Sequence, residues 1–379
     1  MKINNQLIFL LSFILTCLLF SVYPLYAQQS DSAKTAKTQS EMFLDIGRTA
    51  LAQGDIAAAL NDFRQALAKA INENNQKTQA ESCLELGALF RDYVGDTDSA
   101  LVYYRAALRV EQMLADPVAE AYCRNMIGNL LRQTNELDLA MTEFNRVLEI
   151  NREIKDDKTL AFTYQEMGLI NHARDKYDFA LDNYRAALAL QQKLGDEKAE
   201  AFLHIDIGLA LGAQKKDKES DQALQAGLDI LKGFEDPQDY ALKLNTISMY
   251  FYQIGRFKRA IAYYHPLLEL YRKYKDRKGE ASALSMIGSC FFERHQVDSS
   301  VAYLQKSLKI SEEIGDNLNL LNTLTNIGVV YKDNGRYEEA LEYMERVHKI
   351  LVDNGITQGR DNIEHTIEEI KKQLKNTSP

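Results

Sequence analysis

The sequence predicts an all-α chain: a right-handed superhelical solenoid of eight helix-turn-helix repeats, closed by a C-terminal capping helix. Three observations carry this expectation. The first is a small residue preceded by a large apolar one, recurring as Ile46-Gly47, Leu86-Gly87, Ile127-Gly128, Met167-Gly168, Ile207-Gly208, Ile247-Ser248, Ile287-Gly288 and Ile327-Gly328. Successive small residues are 40 apart, except for one step of 41 between Gly87 and Gly128. Such a period marks stacked units, each unable to bury its apolar face alone. The second is an Asp or Asn at one register in seven units: Asn75, Asp116, Asp156, Asp196, Asp236, Asp276 and Asp316. The third is a small residue followed four later by a bulky one, in every unit: Ala59/Phe63, Ala100/Tyr104, Ala140/Phe144, Ala180/Tyr184, Ser220/Leu224, Ala260/Tyr264, Ser300/Leu304 and Ala340/Met344.

Residues 1–27 read as a secretory signal peptide. Lys2 gives a sparse positive start, Leu7 to Phe20 is almost wholly apolar, and Pro24 breaks the run before Tyr26-Ala27. Cleavage is expected after Ala27, which makes the mature protein extracytoplasmic; the large Leu25 leaves an uncleaved membrane anchor as the alternative. Cys17 lacks the small preceding pair of a lipoprotein site, and ten largely apolar residues follow it. No second apolar run approaches the roughly 20 residues a membrane span needs, so no span is expected once the leader is removed. Residues 28–40 are polar and read as a flexible linker.

The eight repeats occupy residues 41–355. In the third, Asp116-Pro117 places a capping acceptor before a proline at the first helical position, where its missing donor costs nothing. Ile127, Leu130 and Leu131 follow at helical spacing, Thr134-Asn135 breaks the pattern, and a second helix carries Leu137, Ala140, Phe144, Val147 and Leu148. The small residues are explained by close helix crossing, the bulky side chain filling the adjacent groove. Two features stand apart. Pro266 falls inside the second helix of the sixth unit, where it removes a ladder bond and predicts a kink. The fifth unit carries Gly212, Gly227 and Lys215-Lys216-Asp217-Lys218, which suggests a soft joint. Residues 356–379 form the cap and tail, with Ile363, Ile367, Ile370 and Leu374 as one apolar stripe.

With these residues placed, the chain resembles the tetratricopeptide-repeat family, whose pattern is W-x2-L-G-x2-Y followed by A-x3-F. The large residue three after the glycine survives as Phe90, Leu131, Leu211, Phe291 and Tyr331, with Phe251 after Ser248. The chain departs from the pattern in having no Trp and a period longer than the family's roughly 34 residues. The excess implies helices longer by nearly a turn, similar to those of kinesin light chains and Rap-type bacterial peptide receptors. HEAT repeats share the longer period, but two small-residue crossings per unit favour the tetratricopeptide pattern.

The resemblance implies that the first helix of each unit lines a concave, partner-binding face. The family's inward positions fall on Asn125, Asn129, Arg132, Gln165 and His172 in units three and four. In units six to eight they fall on Asn245, Met249, Tyr252, Ser285, Ser289, Phe292, Asn326 and Lys332. Asn side chains can pair with a peptide backbone, and Met249, Tyr252 and Phe292 offer an apolar anchor. The two-carboxylate clamp of chaperone-binding members needs Lys or Arg with Asn one turn later, and no unit supplies that pair.

Chemistry has no comparable signature. The six histidines share no ligand spacing, and no zincin, nucleophile-elbow or P-loop motif occurs; no catalytic residue, metal or cofactor is expected. Cys83, Cys123 and Cys290 make an odd set at unrelated positions, so buried free thiols are expected, with a Cys83–Cys123 bridge as the alternative. Lys and Arg number 45 against 54 Asp and Glu, a net charge of −9, which argues against nucleic acid as the partner. The function expected is an exported, non-enzymatic scaffold that holds a partner protein or peptide in its groove. The alternative is a periplasmic sensor module working with a separately encoded membrane kinase.

Overall fold

The computed structural model describes residues 37–377, which are helical nearly throughout. The leader, Cys17 and residues 28–36 of the expected linker lie outside the described residues. Repeat 1 is α1 (Gln39–Ala52) and α2 (Ile56–Asn72); repeat 2 is α3 (Gln76–Leu89) and α4 (Thr97–Leu114). Repeat 3 is α5 (Pro117–Gln133) and α6 (Leu137–Ile154); repeat 4 is α7 (Asp157–Ala173) and α8 (Tyr177–Leu194). Repeat 5 is α9 (Glu197–Ala213) and α10 (Asp217–Lys232); repeat 6 is α11 (Gln238–Gln253) and α12 (Phe257–Lys273). Repeat 7 is α13 (Arg277–Glu293) and α14 (Val297–Ile314), repeat 8 is α15 (Asn317–Asp333) and α16 (Tyr337–Asp353), and α17 (Arg360–Thr377) follows. The chain divides into two compact units between Gln214 and Lys215, inside the stretch the sequence singled out. The N-terminal unit holds α1–α9 and the C-terminal unit α10–α17.

The capping register holds with one exception. Asn75, Asp116, Asp156, Asp196, Asp276 and Asp316 each accept a backbone N–H at the start of a first helix. Asp236 does not cap in that way. Pro237 takes the N-cap place, and the Asp236 carboxylate accepts from Gln238 N at 2.9 Å. Asp55 and Asp96 cap α2 and α4 as well. The first helix starts earlier than the expected linker boundary at 40. Thr38 and Glu41 form a capping box on α1, and the buried Ser40 hydroxyl donates to Glu73 at 2.6 Å.

The glycines are explained by what lies over them. A Cβ on Gly47 would stand 2.6 Å from the Phe63 ring, one on Gly128 2.7 Å from Phe144, and one on Gly87 3.0 Å from Tyr104. Gly168 is covered by Tyr184 in the same way, and Gly288 and Gly328 by Leu304 and Met344, at 2.7 and 2.8 Å. The crossing of first and second helix is therefore tight enough that a methyl group forces a shift.

The single 41-residue step has a local cause. The small residues of the two helices are 12 apart in every repeat except the second, where Gly87 and Ala100 are 13 apart. The extra residue is absorbed at the end of α3 as a π-helical turn, Phe90–Val94, closed by Gly95 at φ 73°. A π-turn is what one inserted residue makes of an α-helix, and glycine takes the left-handed exit without a Cβ clash. Phe90 keeps its partner, stacking on Tyr103 at 5.5 Å, as Phe251 does on Tyr263 and Phe291 on Tyr303.

Pro266 does not end its helix, and α12 runs through it to Lys273. Cys83, Cys123 and Cys290 are buried free thiols, the alternative bridge being absent; burial pushes the Cys83 thiol up to about 11. The α17 stripe packs on repeat 8, with Ile370 fully buried and Ile367 nearly so. Among the described residues no helix is long and apolar enough to cross a membrane.

Candidate functional site

Counted from the small residue of each first helix, the expected site residues occupy the positions three before, one after and four after. These positions fall on one side of an α-helix. Asn326 lies at the neighbouring position, two before. The two units use this face differently.

In the N-terminal unit, side chains of each first helix reach the next one, and the acceptor is repeatedly the residue two before the glycine. Arg48 donates to Glu85 at 2.6 Å and to Glu81 at 3.1 Å. Arg91 contacts the Met126 sulfur at 3.0 Å. Asn129 and Arg132 converge on one oxygen of Glu166, at 3.0 and 2.7 Å. Gln165 donates to Asp206 at 3.3 Å. The Asn125 carbonyl accepts from the Thr163 hydroxyl at 3.0 Å.

The expectation that these residues face an open groove is corrected for Asn125 and Asn129, which are both only 3% exposed. Their amides are bonded across the joint to repeat 4, so they hold repeats together. Arg132 is 13% exposed against 5% for Glu166, and is likewise committed to that joint. His172 packs edge-on against Tyr177 at 5.3 Å, and burial lowers its pKa to about 4, so it is neutral at pH 7.

In the C-terminal unit the position two before the small residue is Thr246, Met286 and Asn326, with no acid among them. Correspondingly, Asn245 of α11 and Ser289 of α13 bond within their own helices, while Lys332 of α15 reaches the capping helix. Asn245 approaches the Met249 sulfur at 3.6 Å, and Ser289 donates to the Ser285 carbonyl at 3.1 Å. Ser285 itself is buried, a second correction, while Asn245, Met249, Tyr252, Ser289, Phe292 and Asn326 are partly exposed. Tyr252 leans edge-on against Phe257 at 5.4 Å, and burial first, with the Glu293 carboxylate second, raises its pKa to about 12. Lys332 is occupied, its ammonium 3.6 Å from Glu369 of the capping helix. What the arrangement offers is a neutral surface of amides and hydroxyls around two aromatic rings and a thioether.

Sequence reasoning missed the acceptors Glu85, Glu166 and Asp206. Their signal was present as an acid two before the glycine in repeats 1, 2, 4 and 5, and absent from repeats 6 to 8.

A stack of antiparallel helix pairs whose first helices share one side is an α-solenoid, an architecture that binds along its surface. The chain belongs to the tetratricopeptide-repeat family. Models described as Tetratricopeptide repeat match residues 44–77, 121–154, 239–313 and 279–351. The apo form of RapI is similar in fold, with a TM-score of 0.54 and 16% identity, over 74% of this chain and all of that one. A signal-transduction ATPase with numerous domains from Pyrococcus horikoshii, carrying a tetratricopeptide-repeat sensor, gives a TM-score of 0.57 at 12% identity. The match covers 86% of this chain and spans half the length of that protein. No curated protein matches the chain.

Proposed function

We propose that the protein is a non-enzymatic scaffold that holds an extended, uncharged stretch of a partner protein on the first-helix face of the C-terminal unit. One observation supports this above the others. On α11 and α13 the partly exposed Asn245 and Ser289 bond to Met249 and Ser285 of their own helices, whereas in the N-terminal unit Asn125, Asn129 and Arg132 are bonded to the next repeat. Asn245 and Asn326 can each donate to and accept from a peptide backbone. Tyr252, Phe292 and Met249 are the anchors, since binding energy concentrates in a few large, well-packed side chains. The absence of acids at Thr246, Met286 and Asn326 keeps the surface neutral. The leader expected from the sequence supports an extracytoplasmic location for this activity, which N-terminal sequencing of the natural protein would check by finding Gln28 first.

The test is capture of a partner from the envelope fraction on the mature chain, followed by titration with variants. Tyr252→Ala with Phe292→Ala should weaken the captured partner's affinity well over tenfold, each hot-spot truncation costing about 2 kcal/mol, with the helical circular dichroism unchanged. A folded double variant of undiminished affinity would end this reading.

A further inference from the structure

A second surface of the C-terminal unit carries a charge that the equivalent turns of the other repeats lack. The turn joining α12 to α13 reads Arg272, Lys273, Tyr274, Lys275, Asp276, Arg277 and Lys278, all exposed. Its one acid is engaged, because Asp276 caps α13 by accepting from Gly279 N at 2.8 Å. The equivalent stretches of the other repeats, 71–77, 112–118, 152–158, 192–198, 232–238 and 312–318, are neutral or acidic. In a chain of net charge −9, such a reversal at one joint is a local property of this surface.

Beside the turn a groove of about 210 Å³ runs between α13 and α14. Its floor is apolar, made by Leu284 and Ile310, and both are buried. Glu280 and Glu313 stand on the walls, already satisfied by the arginines of the turn. Arg272 donates to Glu280 at 3.0 Å, and Arg277 donates to Glu280 and to Glu313, both at 2.6 Å. The two lysines on α14, Lys306 and Lys309, are exposed and have no carboxylate partner among the described residues. Lys306 rests over the Tyr303 ring at 5.1 Å, which holds its ammonium at the rim.

We propose that this groove binds an acidic peptide segment of a partner protein. Its carboxylates would pair with Lys306, Lys309 and the basic turn, and an apolar side chain would sit on Leu284 and Ile310. Lys306 and Lys309 are three residues apart, neighbours on the helix surface, and match carboxylates at similar spacing on a peptide. A nucleic acid strand carries a charge at every residue and would press phosphates against Glu280 and Glu313. A bilayer is too flat to reach the apolar floor. The surface is separate from the first-helix face, so the two proposals stand or fall independently.

The experiment uses the mature full-length chain and a fluorescein-labelled synthetic peptide of Glu and Leu, read by anisotropy at low and physiological salt. Phosphatidylglycerol vesicles and inorganic phosphate are the other arms. Lys306→Glu with Lys309→Glu should weaken the peptide about tenfold. Lys155→Glu with Lys158→Glu, an equal change of net charge in the N-terminal unit, should leave it unaltered. Equal losses in both double variants, or no binding of the Glu–Leu peptide, would overturn the proposal. So would vesicles or phosphate binding through Lys306 and Lys309 in the peptide's place.

Discussion

The N-terminal and C-terminal units present the same register of residues on their first helices and spend it in opposite ways. In repeats 1 to 5 an acceptor two before the glycine, Glu85, Met126, Glu166 or Asp206, draws a donor from the preceding repeat across each joint. In repeats 6 to 8 that position is Thr246, Met286 and Asn326; Asn245 and Ser289 bond within their own helices, and Lys332 pairs with Glu369 of the cap. The helix crossings differ in parallel. The glycines of repeats 1 to 4 lie under the rings of Phe63, Tyr104, Phe144 and Tyr184, while Gly288 and Gly328 lie under Leu304 and Met344. One fold thus supports a stack tied between first helices and a stack in which Asn245 and Ser289 bond within their own helices, with the change confined to a few positions per repeat. Cross-ties hold neighbouring repeats in register, and a free lattice can exchange its bonds with a ligand; one residue cannot do both.

The comparison breaks most sharply at Glu166. Glu166→Ala removes the acceptor of Arg132 and Asn129 and leaves a nearly buried guanidinium without its carboxylate. The expected loss is about 3 kcal/mol or more in urea unfolding. Asn326→Ala, at the equivalent position of repeat 8, should cost about 0.5 kcal/mol or less. Similar losses at the two sites would mean that the cross-ties do not distinguish the units.

The crossings give a smaller effect. Gly128→Ala places a methyl against the Phe144 ring and should cost about 1–3 kcal/mol, because a buried ring cannot step aside. Gly328→Ala meets the end of Met344, a flexible thioether that can turn away, and should fall at the bottom of that range. A larger loss at Gly328 would show that the C-terminal crossing is the more rigid one.

The smallest effect is one of pH, and it belongs to the N-terminal unit. His172 has a folded pKa of about 4 against an ordinary 6.5, through burial. The unfolded chain therefore takes up that proton first, and stability falls as pH drops from about 6.5 toward 4. Glu111 is raised to about 7 from 4.5, by burial first and the neighbouring Asp116 second. The folded chain protonates it first, so stability rises as pH drops from about 7 toward 4.5. The two oppose each other, each on the order of 1 kcal/mol after solvent screening. Between pH 7 and 5, Glu111→Gln should make the protein lose stability on acidification, and His172→Gln should make it gain. Parallel pH profiles in the two variants would contradict the assignment.

Much of this molecule follows from the sequence alone, because a repeat repeats its physics. The period, the capping Asp and Asn residues, the Ala-x3-aromatic pairs and the apolar stripe Ile363, Ile367, Ile370 and Leu374 each depend on neighbours within one unit or the next. Local spacing therefore determines helix placement, crossing and end cap. Even the 41-residue step was visible, though only the backbone shows that the extra residue closes as the π-turn Phe90–Val94 instead of lengthening a loop. What tertiary structure decided is which inner side chains are tied to the next repeat. Asn125 and Asn245 share one register position and one side chain, and nothing within their own repeats separates them. The difference comes from what the next repeat offers, Thr163 within hydrogen-bonding reach of Asn125 and Ala283 at the equivalent position for Asn245, a contact between residues nearly forty positions apart. Helical spacing governs what a side chain meets on its own helix; stacking governs what it meets across the joint, and that determines whether its donors are already satisfied when a ligand arrives.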